Sequence, residues 1–157
     1  MKTKILFTVI AVLAAWNGFA QDKLFDKLSN QKNITQVTVS KGLLNLMPDM
    51  ASSMDMNGVD VKDIVNKLEQ IDIFTSQDNE AKKMMRKEAT DHFANNKSYE
   101  VLMKIKEEKS NVIFYAQKDG NFIKSLVMFS DGELECVLIR LLGKFTTEDV
   151  KKVVNAK

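Results

Sequence analysis

Apolar residues recur at intervals of three and four in several stretches before residue 96, and two short β-branched runs lie between those stretches. The intervals predict helices, and the runs ITQVTVS and IDIFTS predict strands. From Tyr99 the period changes to two, and four alternating stretches follow. Asp-Gly turns within Lys118–Asn121 and Ser130–Glu133 separate the last three of them. The predicted order is a short helix, a strand, two helices, a strand, a helix, four strands and a closing helix.

This order of elements favours an α+β domain. We expect a mostly antiparallel sheet of about five to six strands with helices packed on one face. The last two strands are apolar on both faces at their centres, which is typical of interior strands. No repeat, low-complexity tract or Pro/Gly-rich linker interrupts residues 21–157, so they are expected to form a single domain.

Capping residues mark where three of the helices begin. Asp60 is the expected N-cap of the helix that contains KDIVNK, and Ser76 or Asp78 is expected to cap the next helix. Thr146 and Asp149 have the spacing of a reciprocal capping box at the closing helix.

The first 20 residues have the three parts of a secretory signal peptide. Lys2 and Lys4 form a basic region, residues 5–15 form a run that is apolar except for Thr8, and Gly18 to Ala20 form a small-x-small cleavage site. That run is shorter than the roughly 20 residues of a membrane-spanning helix, and no cysteine for lipid attachment follows it. We therefore expect export to the periplasm or the extracellular space. The mature chain is expected to have no membrane span and no lipid anchor.

Removal of this leader changes the charge balance. The whole chain has 23 basic and 21 acidic residues, and the leader contains two lysines but no acid, which leaves 21 of each. A net charge of zero gives no electrostatic basis for nucleic-acid binding. Aromatic residues in the predicted strands, such as Phe114 and Tyr115, are therefore not assigned to RNA stacking.

A resemblance to a known family comes from the leader and from two stretches, TVSKGLLNLM and DGELECVLIRLLGKFTTEDVKKV. They resemble an exported bacterial family catalogued as domain of unknown function 4252. The resemblance covers nearly the whole mature chain, and it depends on apolar positions and Gly143 rather than on catalytic signatures. It implies a secreted or periplasmic α+β domain, and it supplies no activity and no functional residues.

Four methionines lie within ten residues, at Met47, Met50, Met54 and Met56. Converging thioethers in an exported protein can bind Cu(I). The spacing of the first three is equally that of a helical core stripe, and methionine fills irregular gaps well. Flexible methionines can also contact a partner protein. We favour core or an interaction surface over a copper site, with another envelope protein as the candidate partner.

His92 is the only histidine, and Glu88 lies one turn before it on the same helical face. The pair could supply two zinc ligands, but a catalytic zinc normally has three protein ligands and no second histidine exists. A serine triad would need His92 as its base, and the chain lacks a Gly-x-Ser-x-Gly elbow. We expect a boundary histidine bonded to Glu88, no cofactor and a non-enzymatic protein. A small enzyme using His92 with Glu88 or Cys136 is the alternative.

Cys136 is the only cysteine, so no internal disulfide can form. It lies between Leu134 and Leu138 on one face of an apolar strand, where burial is expected to leave it inert. Arg140 interrupts the same inward-facing row. Either the strand leaves the core at this residue, or Arg140 pairs with a partly buried acid, or a bulge resets the alternation. We favour the first explanation.

Overall fold

The computed structural model describes residues 22–46 and 62–154. Within these residues the helices are α1 (Lys23–Ser29), α2 (Lys41–Leu46), α3 (Lys62–Lys67), α4 (Asn79–Asn95) and α5 (Thr147–Val154). The strands are β1 (Thr35–Ser40), β2 (Leu68–Ser76), β3 (Tyr99–Lys106), β4 (Ser110–Asp119), β5 (Phe122–Gly132) and β6 (Cys136–Phe145). The predicted order of elements is confirmed.

The six strands form one sheet in the order β1-β2-β6-β5-β4-β3. Every neighbouring pair is antiparallel. Strands β3 to β6 form a meander that returns across the sheet until β6 lies beside β2. The predicted α+β class and antiparallel sheet are therefore confirmed, as is the interior position of β5 and β6.

Helices contact both faces of the sheet, whereas the sequence predicts helices on one face only. One core cluster joins Val127 of β5 to α1 and to Met85 of α4. The other cluster joins Ile64 of α3 to Val150 of α5, with Leu126 packed against it. Because adjacent residues of a strand point to opposite faces, Leu126 and Val127 place the two clusters on opposite sides. We name these sides the α1/α4 face and the α3/α5 face.

A close approach between α3 and β6 explains why Gly143 is a glycine. Helix α3 ends at Lys67, and the next residue, Leu68, already pairs with Gly143. A Cβ atom on Gly143 would overlap the carbonyl oxygen of Lys67 and would lie 2.7 Å from the ring of Phe145. The glycine is therefore needed for space at this contact.

Two of the predicted helix caps are confirmed. The Asp78 carboxylate accepts a hydrogen bond from the amide of Ala81 at 2.9 Å and so caps α4. At α5, the amide of Thr146 donates to Asp149 at 2.7 Å, and the amide of Asp149 donates to the Thr146 hydroxyl at 3.2 Å. Asp149 also binds the ammonium of Lys67 at 2.7 Å, which connects α5 to α3.

Three predictions concern residues outside the described ranges. They are the leader at residues 1–20, the N-cap at Asp60, and the methionines Met47, Met50, Met54 and Met56.

Candidate binding surface

The two faces of the sheet differ in exposure, although both are apolar at the centre. On the α1/α4 face, Phe74 and Leu138 are only 1% and 0% exposed. Their neighbours Ile73 and Ile139 point to the α3/α5 face and are only partly buried. An antiparallel sheet that faces water on one side ordinarily carries polar residues there. A partly exposed apolar face therefore requires an explanation.

One row of apolar side chains crosses all six strands on the α3/α5 face. Its members, each paired directly with the next, are Val37, Ile73, Ile139, Met128, Phe114 and Met103. Val37 is 46% exposed, and the other members are partly exposed. Strands lie about 4.8 Å apart, so this apolar row is about 24 Å long. Contiguous apolar surface of this kind marks interaction sites.

A second row beside it mixes apolar and hydroxyl side chains. Its members, again paired in order, are Thr35, Thr75, Val137, Ser130, Val112 and Ile105. We call the two rows together the open face. None of its residues carries a charge, so the open face suits an apolar partner rather than a charged ligand.

On the opposite side of the sheet, Arg140 forms a buried ion pair with Asp72. Two guanidinium nitrogens lie 2.7 and 3.0 Å from one Asp72 oxygen, and Asp72 is 2% exposed. Thr38 and Gln70 also donate to Asp72, each at 2.9 Å. The guanidinium carbon lies 3.8 Å from the centre of the Phe25 ring. The favoured explanation, that the strand leaves the core at Arg140, is therefore wrong, and the alternative of a partly buried pair is correct.

His92 faces Asp22 rather than Glu88. Its Nε2 atom lies 2.9 Å from Asp22 Oδ1, and the Tyr99 hydroxyl donates to the other Asp22 oxygen at 2.6 Å. Glu88 is bound to the ammonium of Lys27 at 2.6 Å. The predicted bond between His92 and Glu88 is therefore wrong, because the contact of α4 with α1 provides each residue with another partner.

This polar cluster is only partly satisfied. Asp22 Oδ1, His92 Nε2 and Ser125 Oγ are buried and have no hydrogen bond of standard geometry, in spite of the short separation of the first two. Burial raises the pKa of Tyr99 well above its usual range, and the bond to Asp22 raises it further, whereas the nearby Ser125 hydroxyl lowers it. The cluster joins α1, α4 and two strands, and its member Ser125 is fully buried.

Cys136 is a buried residue of the hydrophobic core, as predicted. It is 0% exposed, and burial raises its pKa to about 12, which keeps the thiol protonated. Leu134, predicted in the same inward-facing row, is 83% exposed because β6 begins only at Cys136. His92 contacts Tyr99 of β3. Across the sheet, Tyr99 pairs with Gln117, Gln117 with Ser125, and Ser125 with Leu142 of β6, so Tyr99 and Leu142 lie at the same level of the sheet. Leu142 is about 20 Å along β6 from Cys136, so the structure does not bring His92 and Cys136 together.

The described residues offer little to a metal ion or a charged ligand. Across residues 22–46 and 62–154, no three His, Cys, Asp or Glu side chains converge as a ligand set. A shallow polar depression beside Arg86 and Lys109 is lined by Asp131, but Asp131 already binds the Arg86 guanidinium at 2.6 Å. In that same part of the chain, no helix combines the length and apolarity needed to cross a membrane.

The fold and the open face define an α+β domain built on a single antiparallel sheet, with one apolar surface only partly covered. A family model described as "Domain of unknown function (DUF4252)" matches residues 25–153, which include every strand of the sheet. The chain belongs to this family, as its resemblance predicts. No curated protein and no solved structure shows a significant match to the chain.

Proposed function

We propose that this chain is an exported, non-enzymatic domain that binds another protein of the cell envelope through the open face. The observation that carries the proposal is the apolar row across all six strands. A partner that covered this row would remove partly exposed apolar side chains from water, which is the main favourable term in protein association.

The dimensions of the open face favour a protein as the partner. Two rows of about 24 Å, about 7 Å apart along the strands, cover on the order of 300 Å² with their side chains. Apolar patches of a few hundred Å² are often functional, and the apolar part of this area is smaller than the whole because the second row includes two threonines and a serine. A standard interface buries about 800 Å² on each partner, so polar residues around the rows also contribute or the complex is transient. Small-molecule sites, in contrast, are concave and largely enclose the ligand.

The placement of the reactive side chains supports a binding role over catalysis. The thiol of Cys136 is buried and protonated. The imidazole of His92 is held between Asp22 and Tyr99, far from that thiol. A nucleophile and its base must lie within hydrogen-bonding reach, and these two do not.

Site-specific photocrosslinking in cells that produce the full chain tests the binding surface. A photoreactive residue at Met128, in the centre of the open face, is expected to give a discrete crosslinked product. The matched control is the same residue at Leu134, which is exposed but lies outside the open face. Met128→Lys is expected to weaken binding of the identified partner, whereas Leu134→Lys leaves it unchanged. Identical products from both positions, or none at Met128, would refute the proposed surface.

Export has its own measurement. Mass spectrometry of the protein recovered from the envelope or the medium is expected to find Gln21 at its N-terminus, as cleavage after Ala20 requires. Recovery only of a chain that retains residues 1–20 would contradict export with cleavage.

A further inference from the structure

The two edges of the sheet differ in how well they are protected against strand addition. Edge strands ordinarily carry charges, proline or a bulge that prevents pairing with another chain. The edge strand β3 has Glu100, Lys104 and Lys106, and a bulge interrupts its pairing between Val101 and Met103. The edge strand β1, with the sequence TQVTVS, has no charge and no proline, and its register with β2 is unbroken over all six residues.

Strand β1 is also held in place by its side chains. The Thr38 hydroxyl donates to the buried carboxylate of Asp72 at 2.9 Å, and the Gln36 amide donates to Thr38 at 3.3 Å. Because Asp72 is fixed in turn by Arg140, these bonds hold β1 against β2 in one register. An edge strand held in one unbroken register offers a preformed row of backbone donors and acceptors on its outer side.

Three exposed apolar residues lie beside the same edge. Val37 of β1 is 46% exposed, and Leu43 and Leu46 of the following helix α2 are 46% and 80% exposed. The apolar row of the open face ends at Val37, so a strand added to β1 would extend it.

We propose that two copies of this chain associate by antiparallel pairing of their β1 strands, which joins the two sheets of six strands into one of twelve. The absence of charge on β1 means that a two-fold contact brings no like charges together within the strand pair. Two registers fit this contact. If Val37 lies opposite Val37 of the second chain, the two valines face each other; if Thr38 lies opposite Thr38, Val37 faces Val39 of the second chain. Hydroxyl and amide side chains then meet on the α1/α4 face, and both kinds of pair stabilise antiparallel strands. Such a contact is isologous and closes at two copies.

Light scattering or sedimentation of the mature chain, over a series from micromolar to millimolar concentration, tests this proposal. We expect a dimer that dissociates on dilution. Val37→Lys places two ammonium groups across the two-fold axis and is expected to raise the dissociation constant on the order of tenfold or more. A chain that remains monomeric throughout the series would overturn the proposal.

A matched control comes from the other edge of the sheet. Val101 of β3 is 44% exposed, nearly as much as Val37, so Val101→Lys introduces the same charge at an equivalent edge and is expected to leave the dimer intact. Equal loss of the dimer in both variants, or its survival in Val37→Lys, would refute pairing through β1. Circular dichroism and thermal unfolding verify that each variant is folded. Met128→Lys, three strands from this edge, is expected to keep the dimer, which separates self-association from partner binding.

Discussion

Replacing Arg140 by methionine tests whether the ion pair with Asp72 belongs to the core. At 2.7 Å and an effective dielectric constant of about 20, the attraction between the two charges is about 6 kcal/mol. Desolvation of both groups offsets much of this attraction, and removal of one partner from a buried pair costs about 3–5 kcal/mol. Because the Arg140 side chain is 15% exposed, we expect a loss near the lower end, about 3 kcal/mol.

Urea unfolding followed by circular dichroism measures this loss as a change in the free energy of unfolding. The double variant Asp72→Leu/Arg140→Met removes both charges and is expected to be much closer to the wild type than either single variant. Lys104→Met is the control, because Lys104 is an exposed basic residue on the same face of the sheet. If Arg140→Met changed stability by only about 0.5 kcal/mol, as surface substitutions do, the buried pair would not be the explanation.

Three further predictions concern other parts of the fold. Gly143→Ala is expected to lower the free energy of unfolding by about 1–3 kcal/mol, because the new methyl group meets the backbone of Lys67. Gly120→Ala is the comparison: Gly120 has a φ of 60° and open space around it, so this substitution should lower the free energy of unfolding by about 1 kcal/mol. Burial raises the pKa of Asp149, but Lys67 and Thr146 lower it more strongly, to about 2 from 3.8. The lowered pKa of Asp149 stabilises the fold above about pH 4, and this stabilisation is lost as the pH falls toward 2. Because the Lys67 side chain is 37% exposed, screening by solvent reduces the stabilisation to about 1 kcal/mol. In unfolding curves measured at different pH values, Asp149→Asn should lack this loss of stability in acid. Cys136 should react with a thiol reagent only after addition of denaturant, and rapid labelling of the native protein would contradict its burial.

The order of elements and the helix caps could be predicted from the sequence because their signals are local. Asp78 caps α4 within three residues, and Thr146 and Asp149 bond to each other at the same separation. The hairpin within Lys118–Asn121 could also be predicted, although its two loop residues are Gly120 and Asn121, because Asp119 still pairs with Phe122. Gly120 has the positive φ of a turn with glycine as its first central residue. The other predicted Asp-Gly turn is displaced, because β5 continues through Gly132.

The partners of Arg140 and His92 could not be predicted in the same way, because each is distant in sequence. Asp72 lies 68 positions before Arg140, and the pairing of β2 with β6 brings them together. The sequence did contain one indication of this pair. Asp72 and Arg140 are each a single charged residue between apolar neighbours in a predicted strand, and their charges are opposite. For His92, helical spacing indicated Glu88, but the packing of α1 on α4 decides the contact.

The open face depends on information that no local pattern contains. Apolar residues on both faces of β5 and β6 predict interior strands, and they are interior, but the same pattern does not tell which face a helix covers. The helices divide between the two faces, and α3 and α5 pack around Phe145 and leave the apolar row partly exposed. A monomer in water gains nothing from that exposure, and charge protects only the β3 edge of the sheet. The exposed row and the uncharged β1 strand meet at Val37, so both proposed contacts would remove apolar surface from water at the same corner of the domain.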